Sequence, residues 1–299
     1  MRCAMSILAC PADPDYVRQI TAHLKRAANF RFAETFLVLD TTRRDQAEPL
    51  IAIARSMREA NEIDRYVELE THLNTQIARK HFLERPRRLR DNRGIPLFGW
   101  ITGMESAATE YVFHADCDIL IHSKLDFSWV EEAILLMEND PSVLFVSPHP
   151  GPPSPEGIFG HDPPPIVDEH GNYRFKSFSS RRYLVNKKRF ERLLPLRSMH
   201  VSWRRKLAMH LGGSSSILPW ETHVDCALRS SPFFRVHLKD TRAWALHCPD
   251  HGNLWSENLS KLIAAVEAGT FPASQAGHYD LLLKDWLETI ISARRPAVV

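Results

Sequence analysis

The chain has 299 residues, 44% of them hydrophobic and 25% charged, with a formal net charge of +2. This is the make-up of an ordinary globular protein with room for a sizeable core, and so small a charge gives no global attraction to nucleic acid. The five cysteines (Cys3, Cys10, Cys117, Cys226 and Cys248) are odd in number and lack CxxC spacing, which suggests neither a disulfide framework nor a zinc site.

The apolar run before Pro11 is too short for a signal peptide, and no stretch of about 18 apolar residues reads as a membrane span. A cytoplasmic setting is therefore expected, with peripheral membrane contact left open. Met5 to Cys10, "MSILAC", reads as a strand stopped by Pro11. Val17, Ile20 and Leu24 then recur at helical spacing, with Asp13 or Asp15 as the candidate cap. "FLVL" at 36–39 is a second buried strand, ending at Asp40. A helix is predicted from Pro49 to Ala60, and "RYVELE" at 65–70 resembles a third strand. Residues 79–93 hold eight Lys, Arg or His residues, a solvated basic loop or a landing place for an anionic substrate.

Residues 97–109 look helical, and "YVFHADCDILIH" at 111–122 follows as an apolar strand that carries Asp116 and Asp118. Trp129 to Met137 reads as a helix and "SVLFVSP" at 142–148 as another strand. From Pro148 to Pro165 there are eight prolines and three glycines, so a loop crossing the sheet is expected. The Gly212–Ser216 run, "GGSSS", reads as a connector and lacks the Lys-Ser/Thr of a P-loop. After Leu254 two helices are predicted, at 256–268 and 277–293.

Strands that alternate with helices and read as continuous apolar runs predict an α/β fold with a mostly parallel sheet flanked by helices. The expected division is a domain over 1–254 and a short C-terminal helical extension over 255–299 packed on it. In such sheets ligands gather outside the carboxyl ends of the strands. Three of those ends carry polar groups here: the turn after Cys10, Asp40, and the Asp116/Asp118 pair.

Desolvating an unpaired carboxylate costs several kcal/mol, so two of them in an apolar strand need a reason. At a strand end either or both could reach a divalent metal, and oxygen ligands suit Mg²⁺ or Mn²⁺. The bland alternative is that the two aspartates cap a turn. Cys117 between them is expected to point into the core.

The pieces "SILACP", "FLVLDTT", "NRGIPLFGWITGMESAATEYVFHADCDILI" and "ETHVDCALR" occur in the order seen in GT-A-fold glycosyltransferases. Over about residues 4–250 the chain resembles that group, broadly of the family 2 type, and the D-x-D block is the most specific part. The resemblance implies a Rossmann-like GT-A sheet, a nucleotide-sugar donor (UDP-sugar by default), a Mn²⁺ or Mg²⁺ cofactor, and a small-molecule or glycan acceptor. It implies that Asp118 ligates the metal and that Asp116 shares that site or faces the ribose or sugar. Asp40 would contact the base or ribose, and Ala9 and Pro11 would line the nucleoside pocket. Arg93, in the loop before the 97–109 helix, would meet the diphosphate, and His247, after the apolar run "AWAL", would be a further metal ligand. His251 competes with it.

An inverting transferase needs a base for the acceptor hydroxyl, usually a carboxylate. The family places it in an E-D-x-D-like block, for which "PWETHVDCALR" at 219–229 is the counterpart. His223 stands where the usual base aspartate would be, so Glu221 comes first, with Asp225 and His223 behind it. The bland reading of these acids is a helix N-terminus whose dipole favours them. Trp220 either stacks on a sugar or belongs to the core. Two other functions compete: a nucleotidyltransferase acting on a sugar phosphate, disfavoured by the acidic "CPADPD" turn, and a non-catalytic nucleotide-sugar-binding domain.

Overall fold

The computed structural model of the chain describes residues 2–12, 14–69, 71–83, 90–154, 165–202 and 215–292. Asp13, much of the basic 79–93 and proline-rich 148–165 stretches, and Gly212 to Ser214 lie outside them.

In chain order the strands are β1 (Cys3–Ala9), β2 (Glu34–Leu39), β3 (Arg65–Glu68), β4 (Tyr111–Asp116), β5 (Ile119–Ser123), β6 (Val143–Ser147), β7 (His149–Pro150), β8 (Ile166–Val167), β9 (Tyr173–Phe175), β10 (Arg182–Asn186), β11 (Phe234–His237) and β12 (Ala243–His247). The helices are α1 (Val17–Ala28), α2 (Arg44–Glu59), α3 (Thr71–His81), α4 (Gly99–Ser106), α5 (Trp129–Asn139), α6 (Lys187–Glu191), α7 (Trp220–Arg229), α8 (Asn253–Glu267) and α9 (Leu283–Ser292).

A nine-stranded sheet runs β3-β2-β1-β4-β10-β6-β11-β9-β8, and a three-stranded sheet runs β5-β12-β7. Strands β1 to β4 are mutually parallel, while β10 enters antiparallel between β4 and β6. β1 and β6 are buried at every position, which is why each reads as an unbroken apolar run and not as an alternating one. Mixed α/β layering with this sheet is the GT-A architecture expected from the sequence.

Several local expectations change. Helix α1 begins at Val17 behind Tyr16, which makes no side-chain cap, so Asp15 does not cap it. Helix α2 starts at Arg44, ahead of its predicted Pro49 start; the proline sits in the helix, where it withholds one N–H from the ladder. The 111–122 run is two strands in two different sheets, because the chain crosses from one to the other at Cys117–Asp118. His149–Pro150, expected as loop, pairs with β12 at the edge of the small sheet, where a proline needs no partner for a missing N–H.

The 277–293 helix is the largest correction. Within it Leu283–Ser292 is helical, whereas Gly277 (φ +76°) closes a turn and Asp280 makes a single bridge to His247 at the end of β12. Gln275, wholly buried, fixes that shape: its amide donates to the carbonyls of His278 (2.8 Å) and Asp280 (3.1 Å) and accepts from Leu282 N and Trp286 Nε1 (both 2.8 Å). Gly151 packs so closely under this segment, at φ +85°, that a Cβ would lie 2.2 Å from His278 O. The side chains of α8 and α9, including Trp255, Leu259 and Trp286, complete the same core that holds β1 and α1.

Candidate active site

The crossover from β4 to β5 builds the site. Asp116 ends β4 and its N–H donates to Arg181 O across the antiparallel β10 neighbour (2.8 Å). Two residues later Asp118 O accepts from Cys248 N (3.0 Å), because β5 pairs with β12 in the register His247–Ile119. The two carboxylates therefore hang from different sheets at the seam between them. Cys117 between them is 3% exposed, as an inward-pointing side chain should be.

A cavity of about 320 Å³ opens over this seam. Leu8, Cys10, Trp100, Asp116, Asp118 and Glu221 line it, together with Arg93, Ser180, Arg181, His247 and His251. It lies at the carboxyl ends of β1 and β4, the side where ligands of parallel sheets bind.

Electrostatics sets the two carboxylates apart. Burial and the neighbouring Asp118 push Asp116 well above the ordinary 3.8, while the Trp100 indole N–H, 3.0 Å away, pulls it back only in part. His114 below it stays neutral, because burial pushes the imidazole down to about 3, and so supplies no countercharge. Burial also works to raise Asp118, but its contacts with His247 and His251 outweigh this and hold it at about 2.

These shifts have opposite signs for stability. The folded chain binds a proton on Asp116 more tightly than the unfolded chain, so this group costs stability as pH rises above 3.8. Asp118 instead contributes stability above its ordinary value, and loses it as pH falls through about 2. Asp116→Asn keeps an acceptor for Trp100 and should raise the Tm of the metal-free protein at neutral pH. The expected gain is roughly 2–4 °C for each kcal/mol of relieved repulsion, vanishing at acid pH below the unfolded value. Thermal unfolding at neutral and acid pH checks this, and an equal shift at both would defeat the electrostatic explanation.

Asp118 Oδ2 lies 3.2 Å from His251 Nε2 and 3.5 Å from His247 Nε2. Its Oδ1 is buried with no hydrogen-bond partner among the described residues. An orphaned buried carboxylate oxygen is costly unless a donor or cation supplies what it lacks. Among the described residues no three His, Cys, Asp or Glu side chains already form a cation cage. The unpartnered Asp118 oxygen is the feature that suits a cation completed by a ligand's own oxygens. The two histidines differ. His251 Nε2 faces two acceptors, Asp118 Oδ2 and Cys248 O (2.9 Å), so it must carry the proton and offers no lone pair. His247 Nε2 faces a single acceptor among the described residues, Asp118 Oδ2, at the longer distance of 3.5 Å.

Glu221 stands in the first turn of α7 and reaches the cavity's far wall. Its Oε1 accepts from Ser180 N (2.8 Å) and Ser180 Oγ (3.0 Å), while Oε2 has no partner among the described residues. One turn on, Asp225 accepts from Phe178 N and lines a separate cavity with Thr222, Cys226 and Arg229. His223 is 1% exposed, with Nε2 accepting from Met199 N (3.0 Å) and Nδ1–H donating to Pro219 O (2.9 Å). Both of its nitrogens hold the entry to α7 in place, away from the cavity. Trp220 is wholly buried and stacks on Trp100 at 6.4 Å and 9°, so it is core.

The remaining sequence candidates fall near the cavity or behind it. Arg93 lines the cavity with its side chain half exposed. Ala9 is fully buried in the core and Pro11 half-buried, while their neighbours Cys10 and Ala12 line the wall. Asp40 is 2% exposed and already taken: Oδ2 accepts from Arg90 Nη2 (2.7 Å) and Oδ1 from Thr42 N (3.1 Å). Leaving such a buried charge without its partner costs about 3–5 kcal/mol, so a nucleoside reaching Asp40 has to displace Arg90 and replace its bonds. Trp100, Ser180 and Arg181 join the site without any sequence signal. The last two precede a strand whose antiparallel place in the sheet no local pattern reveals.

The large sheet, with antiparallel β10 beside β4, and the small second sheet at the seam make a GT-A fold. No protein-family model matches the chain, and no curated protein matches it. Among solved structures it is similar to GalNAc-T7 with UDP, GalNAc and Mn²⁺, at TM-score 0.51 and 10% identity, covering 83% of this chain and 44% of that one. The galactosyltransferase LgtC in complex with donor and acceptor sugar analogs matches at TM-score 0.43 and 11% identity, over 91% of this chain and 98% of that one. TarS residues 1–349 of S. aureus in complex with UDP-GlcNAc match at TM-score 0.43 and 13% identity, over 82% of this chain and 58% of that one. At 10% identity, the likeness to GalNAc-T7 shows the fold alone. No helix among the described residues is long and apolar enough to cross a membrane.

Proposed function

We propose that the chain is a metal-dependent glycosyltransferase that moves a sugar from a nucleoside diphosphate sugar, UDP-sugar by default, to an acceptor hydroxyl with inversion. One observation carries this reading: Asp116, Asp118, His247 and Glu221 line one cavity at the seam of two sheets, with Asp118 Oδ2 3.5 Å from His247 Nε2. The GT-A fold shared with a structure that holds UDP and Mn²⁺ supports it.

Asp118 through its open Oδ1, His247 through Nε2 and Asp116 would hold the cation, here Mn²⁺ or Mg²⁺. When bound, it supplies positive charge against the diphosphate that leaves. Arg93 and Arg181, both with exposed guanidinium groups at the rim, bind the phosphates from the protein side. Glu221, with Oε1 pinned by Ser180, presents Oε2 to the acceptor hydroxyl and takes its proton as the oxygen attacks the anomeric carbon. The bond from that carbon to the diphosphate oxygen breaks on the opposite face, so the configuration inverts. Trp100 holds Asp116 through its indole N–H and closes the apolar side of the cavity.

A thermal-shift screen of UDP-, GDP- and dTDP-sugars with and without Mn²⁺ tests the donor. The expected result is stabilisation by one nucleotide sugar only when Mn²⁺ is present. Stabilisation by nucleoside triphosphates alone would favour a nucleotidyltransferase and overturn the reading.

A further inference from the structure

The segment that leaves α8 and returns to α9 passes directly behind His247. His247 N donates to Tyr279 O (3.1 Å) and Leu281 N donates to His247 O (2.8 Å), so residues 279–281 form a short parallel bridge with the end of β12. The Tyr279 ring stacks on the imidazole at 5.9 Å and 24°, and Arg182 Cζ lies 4.1 Å from the centroid of the Tyr279 ring. Between the two backbone bonds, Asp280 places Oδ1 2.7 Å from His247 Nδ1.

From this geometry we propose that Asp280 is a positioning residue: it accepts the Nδ1–H of His247 and sets that tautomer of the neutral ring, leaving Nε2, which donates to Asp118 when protonated, as the nitrogen a cation would take. The proposal deepens the metal-site reading above and rests on it only for its functional consequence. Arg181 Nη1 also lies 2.7 Å from Nδ1. A neutral ring nitrogen cannot donate to Asp280 and accept from Arg181 at once, so one contact must yield. Asp280 is tied on both sides by backbone bonds to His247 itself, and its side chain is short. Both side chains are partly exposed, Asp280 at 61% and Arg181 at 41%, but Arg181 has a long stem and has Asp280 within 3.5 Å as an alternative partner. Arg181 is therefore the group that gives way. A carboxylate behind a metal-facing imidazole typically fixes its tautomer and raises its basicity, and losing it costs roughly 10–100-fold in metal affinity.

The test uses the full chain labelled with ¹⁵N-histidine and free of metal. Long-range ¹H–¹⁵N spectra assign His247 by comparison with His247→Gln. The expected result is a proton on Nδ1 of the neutral ring in the wild type. Asp280→Asn, whose amide oxygen can still accept, and Arg181→Gln should keep it there, whereas Asp280→Ala should move it to Nε2. A wild-type ring protonated on Nε2, or a proton that follows Arg181→Gln and ignores Asp280→Ala, overturns the proposal. Titration with Mn²⁺ alone, read by electron paramagnetic resonance, should show Asp280→Ala weaker by roughly 10–100-fold and Asp280→Asn much less affected. If His247→Gln leaves Mn²⁺ binding unchanged while the tautomer behaves as stated, the metal reading fails and the positioning role of Asp280 survives. Should Asp280→Ala not fold, the wild-type spectrum and the Arg181→Gln and Asp280→Asn spectra still decide the tautomer.

Discussion

Asp118→Ala is expected to abolish Mn²⁺-dependent nucleotide-sugar binding and, with it, sugar transfer. Outer partners of metal ligands cost roughly 10–100-fold when removed; loss of the ligand carrying the open oxygen should cost at least about 100-fold in Mn²⁺ affinity. Asp118 is the carboxylate held ionised at about 2, so it carries the seam's standing negative charge, whereas Asp116 is pushed toward its protonated form. It also spans the seam, since its carbonyl accepts from Cys248 N in the small sheet. That bond belongs to the backbone and persists in the alanine variant, so the fold should survive. Isothermal titration with Mn²⁺ and UDP-sugar checks the prediction. Unchanged affinity in a folded variant would remove Asp118 from the metal site.

Glu221→Gln should instead leave donor binding intact and lower kcat by about 10²–10⁴-fold, the usual worth of a positioned general base. Glutamine can still accept from Ser180 N and Oγ through its amide oxygen, so the side chain keeps its place and loses only its basicity. Turnover assays at saturating donor, alongside a donor-binding titration, separate the two effects. Near-normal turnover would place the base elsewhere. Asp225→Asn should have a much smaller effect on transfer, because its carboxylate is bound to Phe178 N and faces a different cavity.

On the proposed reading, the two carboxylates would also make cation binding depend on pH. Two acids at the junction of two sheets, one of them with an unpaired oxygen, repel each other. A divalent ion relieves that repulsion, which couples its affinity to the protonation of Asp116. Occupancy should therefore rise with pH.

Much of this was readable in the residues. "FLVL", "SVLFVS" and "YVFHA" announce buried parallel strands through unbroken apolar runs, a direct consequence of a sheet covered on both faces. Polar groups at strand ends, Asp116 and Asp118 above all, mark where such a sheet presents its ligand face. Arg93, Glu221 and His247 likewise come to the same cavity.

Other features depended on contacts between distant parts of the chain. An apolar run has the same pattern whether it stays in one sheet or crosses to another, so the break at Cys117 was invisible. Asp40 ends its strand as expected, but Arg90, 50 residues away, closes over it. Ser180 and Arg181 reach the site because β10 runs antiparallel beside β4, a choice set by the whole sheet. The clearest case is Asp280. The local pattern there suits a helix, yet the buried Gln275 and the end of β12 keep residues 277–281 out of one, with Asp280, 33 residues beyond His247, bridged to it. Local periodicity thus determined the strands, their buried character and the acids at their ends. Only the tertiary structure decided which charges are already neutralised, which oxygen is left open, and what stands behind His247, because burial and pairing are properties of neighbours in space.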